Sequence, residues 1–188
     1  MEAIRIPSPI SREDAARLRA GQSVLLSGVI YTARDAAHAR LVRALEAGEA
    51  LPVDLRGQTV YYAGPTPTPP GHASGAIGPT TSMRMDAFTP ALLRYGVAAT
   101  IGKGGRNQAV REAMVETGAV YFAAIGGCAA YMAACVESVE VVAYDGLGTE
   151  SIKRLVVSDM PLTVAVDSLG NDAYQQGVRT YLAAHGAQ

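Results

Sequence analysis

The sequence predicts an α/β domain in which a mixed sheet is covered by helices. Strand-length apolar runs alternate with segments of helical periodicity in the middle of the chain, and further strands cluster near its end. The composition agrees, because 49% hydrophobic and 18% charged residues are typical of a folded protein. With 188 residues, no repeats and no long linker, we expect residues 1–188 to form a single domain.

Caps and glycines divide the first half of the chain into elements. Ser11 is placed to cap a helix over residues 12–20 that ends at Gly21. The apolar run SVLLSGVIY at 23–31 predicts a buried strand, and apolar residues at helical spacing follow over 34–46. The same signals predict strands at 60–63 and 98–101, and helices at 89–95 and 107–116.

The second half is predicted to contain more strand than helix. Strands are expected at 120–124, 139–143, 154–157 and 163–167, with a closing helix over 171–184. Residues 64–71 (GPTPTPPG) hold four prolines in eight positions, which excludes a helix or a central strand. We therefore expect a stiff loop there.

Charge and hydropathy argue against two classes of partner. The chain has 16 Lys and Arg against 17 Asp and Glu, so its net charge of −1 gives no electrostatic case for nucleic acid or an anionic membrane. No apolar run approaches the roughly 20 residues that span a bilayer. The first residues lack a secretory apolar region. A cytoplasmic protein is the resulting expectation.

The cysteine and histidine content predicts that this chain holds no metal. The only cysteines, Cys128 and Cys135, lie seven positions apart in an Ala-rich stretch; if it is helical, their separation of about 10 Å excludes a disulfide. We expect two buried thiols on one helical face. Two cysteines fall short of the usual iron–sulfur ligand set, and no Cys/His group has zinc-like spacing.

Three cations in loops are candidates for an anion site. Arg34 follows a strand and opens a helix, Lys103 does the same, and Arg84 lies in the loop 78–86. If they converge, they form a pocket for a compact dianion, since arginine binds carboxylates through two hydrogen bonds and lysine acts as a point charge. Backbone N–H groups of Gly104 and Gly105, at a helix start, would add donors.

Each feature also has an ordinary structural interpretation. An arginine is most often a solvated surface charge, and Thr80, Thr81 and Ser82 could satisfy backbone groups of a turn. The turn GKGG at 102–105 is not a phosphate-binding loop, because the GxxxxG spacing and the hydroxyl after the lysine are absent.

Several motifs, in order, resemble one enzyme family. Residues 78–86 (GPTTSMRMD) resemble the GPTTS-x-RMD signature of the beta subunit, or C-terminal domain, of class I iron–sulfur fumarases and L-tartrate dehydratases. Residues 27–38 (SGVIYTARDAAH) resemble the family pattern SG-x-I-x-TARD-x-AH. Further similar segments are YAGP at 62–65, IGKG at 101–104, GLGTE at 146–150 and DSLGND at 167–172. The resemblance covers roughly residues 23–172.

The resemblance implies a fold, a cofactor and a partner. The implied fold is a swivelling β/β/α domain. The implied cofactor is a [4Fe–4S] cluster held by three cysteines of an alpha subunit, and none is bound by this chain. The chain then looks like the separate beta subunit of a heterodimeric or heterotetrameric hydro-lyase that reversibly hydrates fumarate to malate.

Residue roles follow from the same resemblance. Arg34, Arg84 and Lys103 would hold the substrate carboxylates, and Thr80 would stand at the proton-transfer position. Asp86 would orient Arg84 or cap the loop, and Asp35 would orient Arg34. Thr81, Ser82 and Gly104 would support the site.

Two alternatives remain open at this stage. An L-tartrate dehydratase beta subunit would share the chemistry, and its substrate has one more hydroxyl. A non-catalytic partner subunit that binds a dicarboxylate or a protein is an alternative of a different class.

Overall fold

The computed structural model describes residues 3–186 and has a mixed α/β fold, as predicted. The strands are β1 (Ile4–Ser8), β2 (Ser23–Thr32), β3 (Thr59–Tyr61), β4 (Ala99–Gly102), β5 (Val120–Ala123), β6 (Val136–Ala143) and β7 (Ile152–Val166). The helices are α1 (Arg12–Arg17), α2 (Asp35–Glu46), α3 (Thr89–Tyr95), α4 (Gln108–Thr117), α5 (Ala129–Ala134) and α6 (Ala173–His185). Two 3₁₀ turns cover Ser82–Met85 and Asp145–Glu150.

The seven strands form one sheet that closes on itself. Strands β1 to β5 lie side by side and parallel, in chain order. The long strand β7 pairs antiparallel with β5 and also with β2, so β2, β3, β4, β5 and β7 make a closed ring of five strands. Strand β6 adds to β7 outside that ring, and β1 adds to β2.

Two elements differ from the prediction. The two strands predicted at 154–157 and 163–167 are parts of one strand, β7, which continues through Asp159 at φ 48° and Pro161. Pairing with β2 on both sides of the bulge keeps the strand continuous. Strand β1 was not predicted, because Pro7 lies within it; as an edge strand it tolerates a residue without an N–H group.

The sheet separates two apolar cores. Side chains that point into the ring, such as Tyr61 and Phe122, form one core with residues of β2 and β7. Their sequence neighbours Val60 and Tyr121 point outward and form a second core with α2, α3 and α4. The alternation follows from the period of two in a strand, and it means that both faces of β3, β4 and β5 are buried.

A buried ion pair crosses the second core. The Arg106 Nε donates to Asp86 Oδ1 at 2.7 Å, and the two side chains are 0% and 4% exposed. The guanidinium lies over the rings of Tyr62 and Tyr121, 5.2 and 5.0 Å from their centroids. Asp86 Oδ2 accepts from the Asn107 backbone N–H at 2.8 Å. One carboxylate thus ties the end of the loop 78–86 to the start of α4.

His38 is the second buried polar group of this core. It lies on α2, fully buried, with its ring edge-on to Tyr62 at 5.1 Å between centroids. Nδ1 lies 2.9 Å from the Arg34 carbonyl oxygen, and Nε2 is buried without a hydrogen-bond partner. Burial, assisted by the nearby Arg106 charge, lowers the pKa of His38 to about 4. The imidazole is therefore neutral near pH 7, and Nδ1–H donates to Arg34.

Helix α6 stands apart from both cores. No residue between Ala173 and His185 is buried. Tyr174, Val178, Tyr181 and Leu182 are exposed and share one helical face by their spacing. A 13-residue helix is marginal in water without packing, and this apolar face is left exposed by residues 3–186.

The two cysteines are less buried than predicted. Cys128 and Cys135 are free thiols that flank α5, and both are half-buried rather than buried, because the helix ends before it reaches either of them.

Among residues 3–186, none of the helices combines the length and apolar character that crossing a lipid bilayer requires.

Asp86→Asn is expected to destabilise the chain by about 3–5 kcal/mol, because it leaves the Arg106 charge buried and uncompensated. Urea denaturation of the purified chain measures this change. Asp54→Asn is the matched control, since Asp54 pairs with Arg56 on the surface and should leave the unfolding free energy near wild type. An Asp86→Asn protein as stable as the control would contradict the assigned role.

Acidification is expected to destabilise the chain through His38. Above its usual pKa of 6.5 the histidine is neutral in both the folded and unfolded states. Below 6.5 the unfolded state binds a proton that the folded state refuses until about pH 4, so stability falls as the pH falls through this window. Through His38, the free energy of unfolding is expected to fall by about 2 kcal/mol between pH 7 and pH 5.

The measurement compares urea denaturation at pH 7 and pH 5 for wild type and His38→Gln. On acidification from pH 7 to pH 5, His38→Gln should lose about 2 kcal/mol less of its unfolding free energy than wild type loses. His72→Gln, at an exposed position just after the proline-containing loop 64–71, should keep the wild-type pH dependence of stability. Equal pH dependence in all three proteins would contradict the prediction.

Candidate active site

The loop 78–86 is added to the sheet edge where β3 and β4 end. Thr80 N donates to the Tyr62 carbonyl at 2.6 Å, and Lys103 N donates to the Thr80 carbonyl at 3.2 Å. Ser82 N donates to the Lys103 carbonyl at 2.9 Å, and Thr81 and Lys103 form a parallel bridge. The structure therefore places Thr80 beside Lys103, at the carboxyl ends of parallel strands where ligands commonly bind.

The three hydroxyl residues of this loop have different surroundings. Ser82 is fully buried and its hydroxyl contacts the Tyr121 hydroxyl at 2.9 Å, so it anchors the loop to the core. Gly102 makes this approach possible, because a Cβ there would overlap the Ser82 hydroxyl. Thr81 is exposed, and Thr80 is half-buried. Of the three, Thr80 has the surroundings of a site residue: it is partly shielded and adjacent to a cation.

Lys103 extends from the end of β4 along a groove. A Cβ placed at Gly126 would lie 3.4 Å from its Cδ and 3.8 Å from its Nζ, so the lysine stem crosses this glycine. The groove is also lined by Thr163 and Tyr174. In the described part of the chain, the Lys103 ammonium forms no ion pair. Its charge is therefore available to an anion.

Arg84 is fixed by Asp35, across 49 positions of sequence. Its Nε donates to Asp35 Oδ1 at 3.0 Å and its Nη2 to Asp35 Oδ2 at 2.8 Å. The Arg84 side chain is 50% exposed. One edge of the guanidinium is thus engaged, and Nη1 remains to bind a second carboxylate.

The predicted partners of the two acids need correction. Asp35 orients Arg84 rather than Arg34, because it is the first residue of α2 and its side chain faces the 3₁₀ turn that carries Arg84. Asp86 does not orient Arg84; it is buried against Arg106 and Asn107.

Arg34 precedes α2 and lies close to the 3₁₀ turn at 145–150. Its Nη2 is 3.5 Å from Glu150 Oε1, and its Nε is buried without a hydrogen-bond partner. Gly64 leaves the space for it, since a Cβ at that position would lie 3.2 Å from Arg34 Nη1. Arg34 thus precedes Asp35 in the chain and pairs with Glu150, whereas Arg84 pairs with Asp35 itself.

The prediction placed Gly104 and Gly105 at a helix start, and the structure places neither residue there. Helix α4 begins at Gln108, and its N-terminal end is occupied by the Asn107 side chain, which accepts from Val110 N at 2.9 Å. Gly104 instead has a φ of 81°, and its carbonyl accepts from the Tyr121 hydroxyl at 2.7 Å. Its role is to turn the chain after Lys103.

Two charged residues near the site were missed and a third was undervalued. Arg106 and Lys153 gave no sequence signal, since their partners lie far along the chain or are backbone carbonyls. Glu150 was quoted only as part of the motif at 146–150, and that motif was the signal available for it.

The donor set of this chain does not fit an iron–sulfur cluster. Cluster ligands are usually cysteine thiolates in sets of three or four. This chain has two cysteines, placed at opposite ends of α5. Among residues 3–186, no group of three or more His, Cys, Asp or Glu side chains is arranged to hold a metal ion.

Comparison with known proteins gives consistent relatives. Residues 1–177 match the family described as Fumarase C-terminus. The chain is 42% identical over 153 residues to the aerobic class I fumarate hydratase of Escherichia coli K12, which covers 80% of this chain and 28% of that protein. It is 37% identical over 167 residues to fumarate hydratase 2 of Leishmania major, covering 88% of this chain and 29% of that protein.

A relative of similar length is also known. The chain is 38% identical over 173 residues to the "Putative L(+)-tartrate dehydratase subunit beta" of Methanocaldococcus jannaschii, which covers 89% of both chains. By contrast, the chain spans less than a third of the length of the fumarate hydratases above. The matched segment and these identities place the chain in the Fumarase C-terminus family.

Proposed function

We propose that this chain is the beta subunit of a two-chain iron–sulfur hydro-lyase that reversibly hydrates fumarate to malate. The observation that carries the proposal is the placement of Thr80, Lys103, Arg84 and Arg34 around one end of the sheet, in segments that match the fumarase motifs. Relatives named fumarate hydratase support the reaction, and the relative named a subunit beta supports the division into two chains.

The arginines are proposed to bind the substrate carboxylates. Arg84 has its Nε edge held by Asp35, which leaves Nη1 directed for a carboxylate oxygen. Arg34 Nη2 lies 3.5 Å from Glu150 Oε1, a contact that orients the guanidinium by charge and leaves its Nη hydrogens able to donate to a substrate carboxylate. Removal of a proton next to a carboxylate moves charge onto that carboxylate, and these cations stabilise it there.

Thr80 is proposed to take the proton next to the carboxylate when malate is dehydrated. A threonine hydroxyl is a weak base unless a cation stabilises its alkoxide. Lys103 is its neighbour in the backbone ladder and has no acidic partner within residues 3–186. The reverse reaction returns the proton from Thr80 Oγ to the same carbon.

The remaining chemistry is assigned to the partner. Since two cysteines do not fit a cluster, we assign the [4Fe–4S] group to a cluster-bearing alpha subunit, where it would supply Lewis acidity toward the substrate hydroxyl. The exposed apolar face of α6 supports a partner subunit, because no part of residues 3–186 covers it. The two-layer core, with one layer inside the strand ring and one under the helices, supports the finer assignment to the swivelling β/β/α fold.

L-tartrate dehydration is the second candidate reaction. The observation in its favour is the Methanocaldococcus relative, which matches this chain over 89% of both lengths and carries that name. A non-catalytic partner subunit is the third candidate. The paired arginines argue against it, because two partly exposed arginine–carboxylate pairs at one end of the sheet add little to stability and are better explained as carboxylate-binding groups.

Coexpression with a cluster-bearing alpha chain under anaerobic conditions tests the proposal. The purified complex should interconvert fumarate and malate, and this chain alone should not. A substrate panel that includes L-tartrate distinguishes the two reactions. Turnover by this chain alone, free of iron, would contradict the two-chain proposal; a complex that neither turns over nor binds any dicarboxylate would favour the third candidate.

Arg84→Ala in that complex is expected to lower kcat/KM by about 100-fold or more, because a cation that faces the developing charge is lost. Arg94→Ala is the matched control. Arg94 likewise donates from Nε and Nη2 to one carboxylate, that of Glu116, is similarly exposed, and pairs with the end of α4 opposite to the one that meets the loop 78–86. Steady-state kinetics of both variants decide the matter. Equal kinetics for Arg84→Ala and Arg94→Ala would remove Arg84 from the site.

A further inference from the structure

The two carboxylate oxygens of Glu150 contact different groups, the start of helix α2 and the Arg34 guanidinium. Its Oε2 accepts from the Ala36 backbone N–H at 2.9 Å, in the first turn of α2. Its Oε1 lies 3.5 Å from Arg34 Nη2. The side chain is 25% exposed, so both contacts are only partly screened by water. Among residues 3–186, Glu150 is the acid that contacts both the Ala36 N–H at the helix start and the Arg34 side chain that precedes it.

Helix α2 needs this acid because its own cap residue does not cap it. Arg34 occupies the N-cap position and makes no side-chain bond to the helix. The N–H groups of a first turn have no partners inside the helix, and negative charge is favourable there. Glu150 meets that need from a segment 114 positions away, which leaves the Arg34 side chain to point elsewhere.

The segment that carries Glu150 is itself anchored by a lysine. Lys153 is 8% exposed, and its ammonium donates to the Gly148 carbonyl at 2.9 Å and to the Ser151 hydroxyl at 2.6 Å. It also lies 3.3 Å from the Thr149 carbonyl oxygen. These contacts surround Glu150 in sequence on both sides. The backbone on both sides of Glu150 is therefore held by the Lys153 ammonium.

Arg34 is confined between this segment and the start of the proline loop. A Cβ at Gly64 would lie 2.7 Å from the Thr149 carbonyl oxygen and 3.2 Å from Arg34 Nη1, so the two segments are in close contact around the guanidinium. The Arg34 Nε is enclosed and unpartnered. Among the described residues, Glu150 forms the one ion pair that Arg34 has.

We propose that Glu150 is the positioning residue of Arg34: it fixes the start of α2 and the guanidinium with one carboxylate, and it acts on substrate affinity only through that arginine. This inference rests on the proposed function, in which Arg34 holds a substrate carboxylate. Glu150 itself does not contact substrate.

The test uses the alpha–beta complex and succinate, an unreactive dicarboxylate, as the calorimetric probe. Glu150→Gln keeps an oxygen that can accept from Ala36 N but removes the charge that faces Arg34. We expect the dissociation constant for succinate to rise about tenfold, with KM rising more than kcat falls. Glu116→Gln is the matched control, because Glu116 pairs with the remote Arg94 and should leave both values unchanged.

A double-mutant cycle separates positioning from general structural support. In an Arg34→Ala background, Glu150→Gln should change succinate affinity by less than about twofold, since its target is gone. A tenfold loss that persists in that background would overturn the inference. Arg34→Ala with unchanged succinate affinity would overturn the proposed role of Arg34, and the inference with it, whereas a weakened Arg34→Ala beside an unaffected Glu150→Gln would overturn the inference alone.

A second variant covers the case in which Glu150→Gln does not assemble with its partner. Glu150→Asp keeps the charge but withdraws it by one methylene. Succinate affinity should then fall by about threefold or more, yet less than in Arg34→Ala. Wild-type affinity in Glu150→Asp would overturn the inference.

Discussion

The buried pair of Arg106 and Asp86 is the interaction on which the geometry of the site depends. The loop 78–86 ends at Asp86, and the helix α4 begins just after Arg106, so the pair fixes the loop that carries Thr80 and Arg84 against the core. Isolated charges at such depth are unfavourable, and each is acceptable only because the other is there. The aromatic rings on either side exclude water from both. A loop exposed on one face is thus held rigidly from the other.

The cations of the candidate site fall into two kinds. Arg34 and Arg84 are held by acids, Glu150 and Asp35, before any ligand arrives, whereas Lys103 has no acid beside it in the described residues. Paired arginines lose little freedom when a carboxylate binds, because their orientation is already fixed. Lys103 meets Thr80 through the backbone, and its ammonium carries a charge that no acid neutralises within residues 3–186. The candidate site therefore combines two oriented arginines with one unpaired lysine.

Local signals in the sequence predicted the helices well and the charge pairs poorly. Ser11 and Asn107 cap helices as their residue types suggest, and the alternation of elements predicted a mixed sheet. The expected pairing of Asp35 with Arg34 was wrong, and of the two roles expected for Asp86 the pairing with Arg84 was wrong, because ion pairs depend on which elements the fold brings together. Strand β7 was predicted as two strands for a similar reason. Its continuity depends on pairing with β2, which is distant in sequence and is not visible in local propensity.

The closed ring of strands has a consequence for how this domain meets other molecules. Closure leaves β1 and β6 as the edge strands of the described sheet, and an open edge is a template for unwanted pairing with another chain. Both edges carry protection: Pro7 removes a donor from β1, while β6 is bulged and displays Glu137 and Glu140 to solvent. Association by strand addition is thereby disfavoured. Any contact that the sheet makes with another molecule is then made by side chains rather than by backbone pairing.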